Sequence, residues 1–426
     1  MPRFLRPFLS MGQLARSTYV TSGWMTLRVA LQTVWVALIA RALGPEGYGF
    51  LAGITALAAT LGTMTGVGFG VLLLQDASRE IETFSGAWKR ALAMAATSGA
   101  FLCFVYALFA PRVFATQGEN GNFVAVSITE LLCFPIIAIA SYAFQAHERM
   151  GWAGALQSLI PAGNLVAFGL FAWWSPTHTL AAYLPFHAIM AVLSALGSIA
   201  IVQSILSPGP ARYTPTPRDI REGAGFSVMR LADTALVTLD KSLTLRMADS
   251  HSAGIYSAAY RLISVATLPL VSLSMSALPR LFRANGQDKT MVQLVRKLLM
   301  VTVAYGAFAG IAAWFIAGAL PILLGDRFRP TVEVARWLTL SPLLQGLYII
   351  GANLLVTQKM VGLRVAAQLL TLGVMMLTAV TLIPNFGLAG AAGMLLITQA
   401  VGAVLIWFCY ALGRHRDSRV ASPPNR

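Results

Sequence analysis

Seven charged side chains stand inside apolar stretches of this sequence: Arg28, Glu130, Arg230, Asp233, Asp240, Lys241 and Arg261. A charge surrounded by hydrocarbon is costly, so such groups face a partner, a water-filled cavity or a substrate. The densest set lies in GFSVMRLADTALVTLDKSLTLRMA, Gly225 to Ala248. At about 100° per residue, Ser227, Arg230, Asp233, Thr234, Asp240, Lys241 and Thr244 share one side of a helix there. That stripe cannot face lipid. It lines water or pairs with neighbouring helices, and Arg230 with Asp233 and Asp240 with Lys241 could neutralise one another as packing contacts. Arg28 and Arg261 have no carboxylate three or four residues away, so each needs an anion from outside its own helix; Glu130 is one candidate partner. If the helices that carry them face one cavity, Arg28, Arg230, Lys241 and Arg261 give it a positive potential in a low-dielectric setting, where phosphate is held strongly. These four are the candidate substrate-binding residues for an anionic ligand. Glu130, Asp233 and Asp240 are the candidate ion-coupling residues.

The chain around them has 426 residues, 57% hydrophobic and 11% charged, with a mean hydropathy of +0.70. A soluble domain carries about 25% charge, and a helical membrane crossing needs about 20 apolar residues. Apolar stretches fall near 18–40, 50–74, 91–111, 122–145, 152–174, 180–206, 224–248, 254–278, 294–322, 332–356, 361–383 and 388–411. The expected fold is therefore all-α and polytopic, with about twelve transmembrane helices. The longest polar, Pro-rich stretch, SPGPARYTPTPRDIREG, runs from Ser207 to Gly223 and serves as a linker. It separates an N-terminal six-helix lobe, 1–206, from a C-terminal six-helix lobe, 224–426, that ends in a short basic tail.

Basic residues set the orientation, because Lys and Arg accumulate in short cytoplasmic loops. With both termini cytoplasmic, 21 of the 31 Lys and Arg fall in inner segments, six in outer ones and four within spans. The first apolar run is long and contains Arg28, so it reads as an uncleaved span and not as a signal peptide. Trp173 and Trp174 beside an outer loop, and Trp88 and Trp152 beside inner loops, fit interfacial belts. The repeat of Gly62, Gly66 and Gly70 predicts a close-packing helix face, as do Gly306 and Gly310. Pro135, Pro161, Pro185, Pro269 and Pro342 predict breaks or kinks within spans. LGPEGYGFLAGI after the first span echoes DSHSAGIYSAAY after the seventh, with Gly47 and Gly254 lying 207 residues apart. That spacing is close to half the chain, as parallel repeats would require.

Several function classes are excluded. The net charge of +15 sits between apolar runs and not on a soluble face, which argues against nucleic-acid binding. The three cysteines lie in apolar runs and the five histidines are scattered singly, so neither a disulfide framework nor a metal site is expected, and no cofactor is implied. No GxxxxGK[ST], no GxSxG elbow and no large loop with paired carboxylates is present, which leaves transport in preference to enzymatic chemistry.

At LGPEGYG after the first span, TLDKSLTLRMADSHSAGIYSAAYRL across the seventh and eighth, LPILLGDRF before the tenth and LIPNFGLAGAA before the twelfth, the sequence resembles Wzx-type oligosaccharide flippases. These belong to the multidrug/oligosaccharidyl-lipid/polysaccharide (MOP) superfamily. The resemblance implies two six-helix lobes in a V around a central cationic cavity. It implies that undecaprenyl-pyrophosphate-linked glycans move from the cytoplasmic to the outer leaflet of a bacterial inner membrane by alternating access, driven by H+, Na+ or the membrane potential. A polysaccharide polymerase and a chain-length regulator are the partners it implies. By position, Asp240 matches a polar residue of the family's seventh helix, and Arg28 is similar to first-helix arginines that line the cavity in MurJ-like flippases. The alternative is an ion-coupled multidrug or metabolite antiporter of the same superfamily.

Overall fold

The computed structural model describes residues 13–115, 120–210, 216–283, 289–358 and 360–420. Arg3, Arg6, Arg212, Lys359 and Arg426, used in the orientation argument, and 211–215 of the expected linker lie outside the described residues. Within them the chain is helical, with no strand. Helix α1 covers Gln13–Gly62 and breaks at Gly44, whose φ of 68° is left-handed and disfavours a side chain; Pro45, which has no N–H to donate, begins its second part. There follow α2 (Phe69–Arg79), α3 (Phe84–Val113), α4 (Asn120–Ala146), α5 (Met150–Trp174), α6 (Leu180–Leu206) and α7 (Pro217–Met247). Next come α8 (Ser250–Arg283), α9 (Lys289–Ile316), the short α10 (Leu320–Leu324) and α11 (Thr331–Trp337), then α12 (Ser341–Thr357) and α13 (Val361–Val420). The last breaks at Gly387, where φ is 54°.

Nine helical stretches among the described residues are long and apolar enough to cross a membrane. Two of them, Val20–Gly62 and Val361–Leu412, contain the breaks at Gly44 and Gly387. At about 1.5 Å per residue each is long enough to cross a hydrocarbon core of ~30 Å twice. The charged helix α7 has 31 residues and is not among the nine. Twelve crossings are compatible with these lengths.

The expected second span is interrupted. After Gly62 the backbone turns through a 3-10 segment, Thr65–Gly68, with Gly66, Val67 and Gly68 all left-handed. Gly62, Gly66 and Gly70 therefore do not share one continuous helix face, as their spacing predicts. Pro161 and Pro185 lie inside α5 and α6, which run on through them, and Pro342 sits in the first turn of α12, where a missing N–H is harmless.

The chain forms two compact units, one of Met1–Leu43 with Ile54–Leu231 and one of Gly44–Gly53 with Ala232–Arg426. In the first, α2 to α6 pack around Phe69, Leu73, Trp88, Phe144, Leu156 and Val202. Trp88 is 1% exposed, so it is a core residue and not the interfacial anchor that its place beside a loop predicts. A capping box starts α7: Thr216 Oγ1 accepts from the Asp219 N–H, and the Thr216 N–H donates to Asp219 Oδ2. Asp219 and Asp76 also flank the buried Arg90, at 3.0 and 2.7 Å, which pins the first turn of α7 to α2 and α3.

In the second unit, α8, α9, α12 and α13 pack around Leu298, Ile350, Leu354, Leu355, Ala367 and Ile406. The segment Gly44–Gly53 joins them through a backbone crossing without side chains: a Cβ on Gly254 would lie 2.0 Å from the Pro45 carbonyl oxygen, and one on Gly49 would lie 1.9 Å from that of Ser250. These are the two turn sequences that echo one another, in direct contact. Outside both cores large apolar side chains are exposed, among them Phe101, Phe104, Leu196, Phe308, Phe315 and Val404, as lipid contact requires. Gly254→Val is expected to lower the thermal midpoint and the yield of folded protein in detergent. Gly225→Ala, where an added Cβ meets nothing within 4 Å, should leave stability unchanged or raise it by up to about 1 kcal/mol. Intrinsic-fluorescence melting of the two variants checks both.

Candidate functional site

In the first unit, α1, α4, α5 and the start of α7 bring together a polar cluster. Arg28 is half-buried on α1, and its Nη1 donates to Gln157 Oε1 of α5 at 2.6 Å. Gln157 Nε2 in turn donates to Ser141 Oγ of α4 at 3.2 Å, as does Gln145 Nε2, and the Ser141 hydroxyl donates to the Ala153 carbonyl at 3.0 Å. The next residue of α4, Tyr142, offers its hydroxyl oxygen to Nη1 of the exposed Arg230. Arg28 and Arg230, 202 positions apart in the chain, are thus tied to one turn of α4 by an amide oxygen and a phenol oxygen. Neutral acceptors orient a guanidinium but leave its charge in place.

Glu130 lies lower on α4 in a π-helical turn, Ile128–Cys133, a local irregularity frequent at functional sites. The wider helical ring brings its backbone against α1: a Cβ on Gly62 would lie 2.7 Å from the Glu130 carbonyl oxygen. The half-buried Glu130 carboxylate makes no ion pair among the described residues.

In the second unit Asp233, Asp240 and Lys241 of α7 are matched by groups of opposite charge. Asp240 is fully buried; Lys241 Nζ donates to its Oδ1 at 2.9 Å, and the Tyr256 hydroxyl of α8 donates to its Oδ2 at 2.7 Å. Lys241 also lies over the Tyr260 ring, 4.0 Å from the centroid, a cation–π contact that stabilises the ammonium. Arg261 follows Tyr260 on α8, half-buried beside Tyr48, and its Nε is buried without a hydrogen-bond partner among the described residues. Asp233 receives Arg364 Nη2 on both carboxylate oxygens at 2.9 Å, together with the Gln368 amide.

Of the two pairs that neighbour one another on α7, Asp240–Lys241 forms. Arg230 and Asp233 part, one to a phenol and the other to an arginine of α13. Tyr142, Gln157, Tyr256, Arg364 and Gln368 carry no sequence signal for these contacts. Arg364 in particular reads as a loop cation beside Lys359, and only the folded chain reveals it as the partner of an acid 131 residues away.

A family model described as "Polysaccharide biosynthesis protein" matches residues 14–285, more than half of the chain, and the chain belongs to that family. No curated protein sequence matches it. Among solved structures it is similar to the lipid II flippase MurJ in its inward closed conformation, with a TM-score of 0.70 at 14% identity over 92% of this chain and 87% of that one. It is also similar to an inward-facing multidrug resistance MATE family transporter of the MOP superfamily, with a TM-score of 0.68 at 14% identity over 93% and 96%. A MOP superfamily transporter from Pyrococcus furiosus gives 0.55 at 15% identity over 96% of each chain. The shared feature at such identities is the fold: this is a multi-pass membrane protein built on the all-helical MOP plan.

Lys241→Met leaves Asp240 buried against a single phenol, and loss of one member of a buried pair costs about 3–5 kcal/mol. The double variant Asp240→Asn/Lys241→Met should recover most of that loss. A double-mutant cycle of melting midpoints reads the coupling directly.

Proposed function

We propose that this protein is a flippase that carries undecaprenyl-pyrophosphate-linked oligosaccharides from the cytoplasmic to the outer leaflet of a bacterial inner membrane, for O-antigen, exopolysaccharide or capsule assembly. The observation that carries this reading is the convergence of Arg28 and Arg230 on one polar cluster of an otherwise apolar helical unit, where Arg28 donates to an amide oxygen and Arg230 to a phenol oxygen. Two guanidinium groups gathered in one cluster attract an anion that arrives from outside, and a diphosphate between a sugar and a polyprenol is such an anion. Membership of a polysaccharide biosynthesis family supports the glycan. Moving the head group through hydrocarbon unaided would strip water from hydroxyls and phosphates at about 2–7 kcal/mol per unpaired polar group, and a polar protein interior removes that cost while the polyprenyl chain stays in lipid.

In this reading Arg28, Arg230 and Arg261 grip the diphosphate. Lys241 joins them when Asp240 takes up a proton and releases the ammonium; Glu130 and Asp233 are further sites for a coupling H+ or Na+. The membrane potential contributes about 2.3 kcal/mol per charge per 100 mV. The binding groups face the two sides of the membrane in alternation, with both termini in the cytoplasm as the basic loops direct. A drug antiporter would share the fold, but a cluster that gathers arginines repels a cationic drug.

Arg28→Ala is expected to abolish complementation of a flippase-deficient strain at normal membrane abundance, and Arg28→Lys to retain part of it. A charge-assisted hydrogen bond contributes about 1.5–3 kcal/mol, so the loss of export is about tenfold or greater. Export retained by the Ala variant would remove Arg28 from the site. Drug efflux that is independent of glycolipid would replace the flippase reading with the antiporter one.

A further inference from the structure

We propose that Arg364 is a fifth phosphate-binding group, held by Asp233 until the diphosphate arrives and displaces that carboxylate. The inference rests on the flippase reading and deepens it, since it adds a substrate-binding residue that the charge pattern of the spans does not contain.

Asp233 belongs to α7 and Arg364 to the first turn of α13, both in the second unit. Their contact is incomplete. A guanidinium presents five N–H donors in a fork that meets a carboxylate or phosphate with two nitrogens on two oxygens. Here Nη2 alone reaches both Asp233 oxygens, at 2.9 Å each. Arg364 Nε is buried with no partner, and Nη1 makes no hydrogen bond among the described residues.

The neighbours are unsatisfied as well. Gln368 is 0% exposed and donates its amide to Asp233, but its Oε1 has no partner. Tyr348 of α12 lies beside Asp233, Arg364 and Gln368, with its buried hydroxyl against the Gln368 side chain. Buried polar groups are satisfied almost throughout folded proteins, and an unmatched one marks a missing ligand or water. The cluster therefore holds two guanidinium nitrogens, Nε and Nη1 of Arg364, without an acceptor among the described residues, around a single carboxylate. Idle donors call for further acceptor oxygens.

A diphosphate supplies those oxygens with more charge than Asp233 carries. The start of α13, three residues before Arg364, adds unpaired backbone N–H groups and the positive end of the helix dipole, both of which favour an anion. In the exchange Arg364 passes from carboxylate to phosphate, and Asp233, whose side chain is 38% exposed, keeps the Gln368 amide and meets water in place of the guanidinium. Asp233 is thus a stand-in for the substrate. It keeps Arg364 compensated in the apolar interior and discriminates against anions too weakly charged to displace it.

The test uses the full chain in detergent, with inorganic pyrophosphate as the probe and titration calorimetry as the readout. Asp233→Asn removes the competitor and should tighten pyrophosphate binding about tenfold. Arg364→Gln should weaken it, and Asp233→Asn/Arg364→Gln should show no gain over Arg364→Gln alone. Asp233→Ser gives the same reading if the Asn variant does not fold. Wild-type affinity in Arg364→Gln, or no gain in either Asp233 variant while the wild type still binds, would show the pair to be a structural tie and overturn this inference with the flippase reading intact. A wild-type chain that binds no pyrophosphate, with Arg28→Ala equally inert, would overturn both.

Discussion

An ion taken out of water into hydrocarbon must be solvated again by the protein that carries it, and that requirement shapes this chain more than any other. Two solutions coexist. Arg90 sits between Asp76 and Asp219, and Asp240 between Lys241 and Tyr256; these charges are cancelled locally and hold helices together. Arg230 is instead held by Tyr142, a neutral partner that fixes its direction, and Arg28 donates to Gln157. Contacts of the first kind anchor the polar helix α7 to its neighbours.

The breaks in the helices serve the same end. Gly44 and Gly387 break two long helices with left-handed backbone. The left-handed run at Gly66–Gly68 interrupts the second span where a continuous helix is expected, and the π turn at Ile128–Cys133 presses the backbone of α4 against the last turn before that interruption. Irregular backbone at membrane depth survives only when it is buried in protein, and here each irregularity is packed by the other. The crossing of Gly49 with Gly254 brings together the two segments that echo one another in sequence, so the echo records a contact.

The fold alone does not name a cargo, because multidrug transporters and a lipid II flippase are built on the same plan. In the flippase proposal the possibilities are separated by the sign of the charge that the helices gather, since basic groups favour an anion over a cationic drug.

How much was legible beforehand follows from the range of each force. Hydropathy is a property of consecutive residues, so the helical membrane class, the positions of most spans and the presence of charge inside them were all readable from the sequence, as was the pairing of Asp240 with the adjacent Lys241. Local signals misled where distant packing intervened: Trp88 beside a loop is buried in the core of the first unit, and the spacing of Gly62, Gly66 and Gly70 lies across a break. Which cation meets which partner was decided only by tertiary structure. Hydrogen bonds act over about 3 Å, and whether Arg230 meets Asp233 three residues away or Tyr142 88 residues away depends on which helix the folded chain lays beside α7.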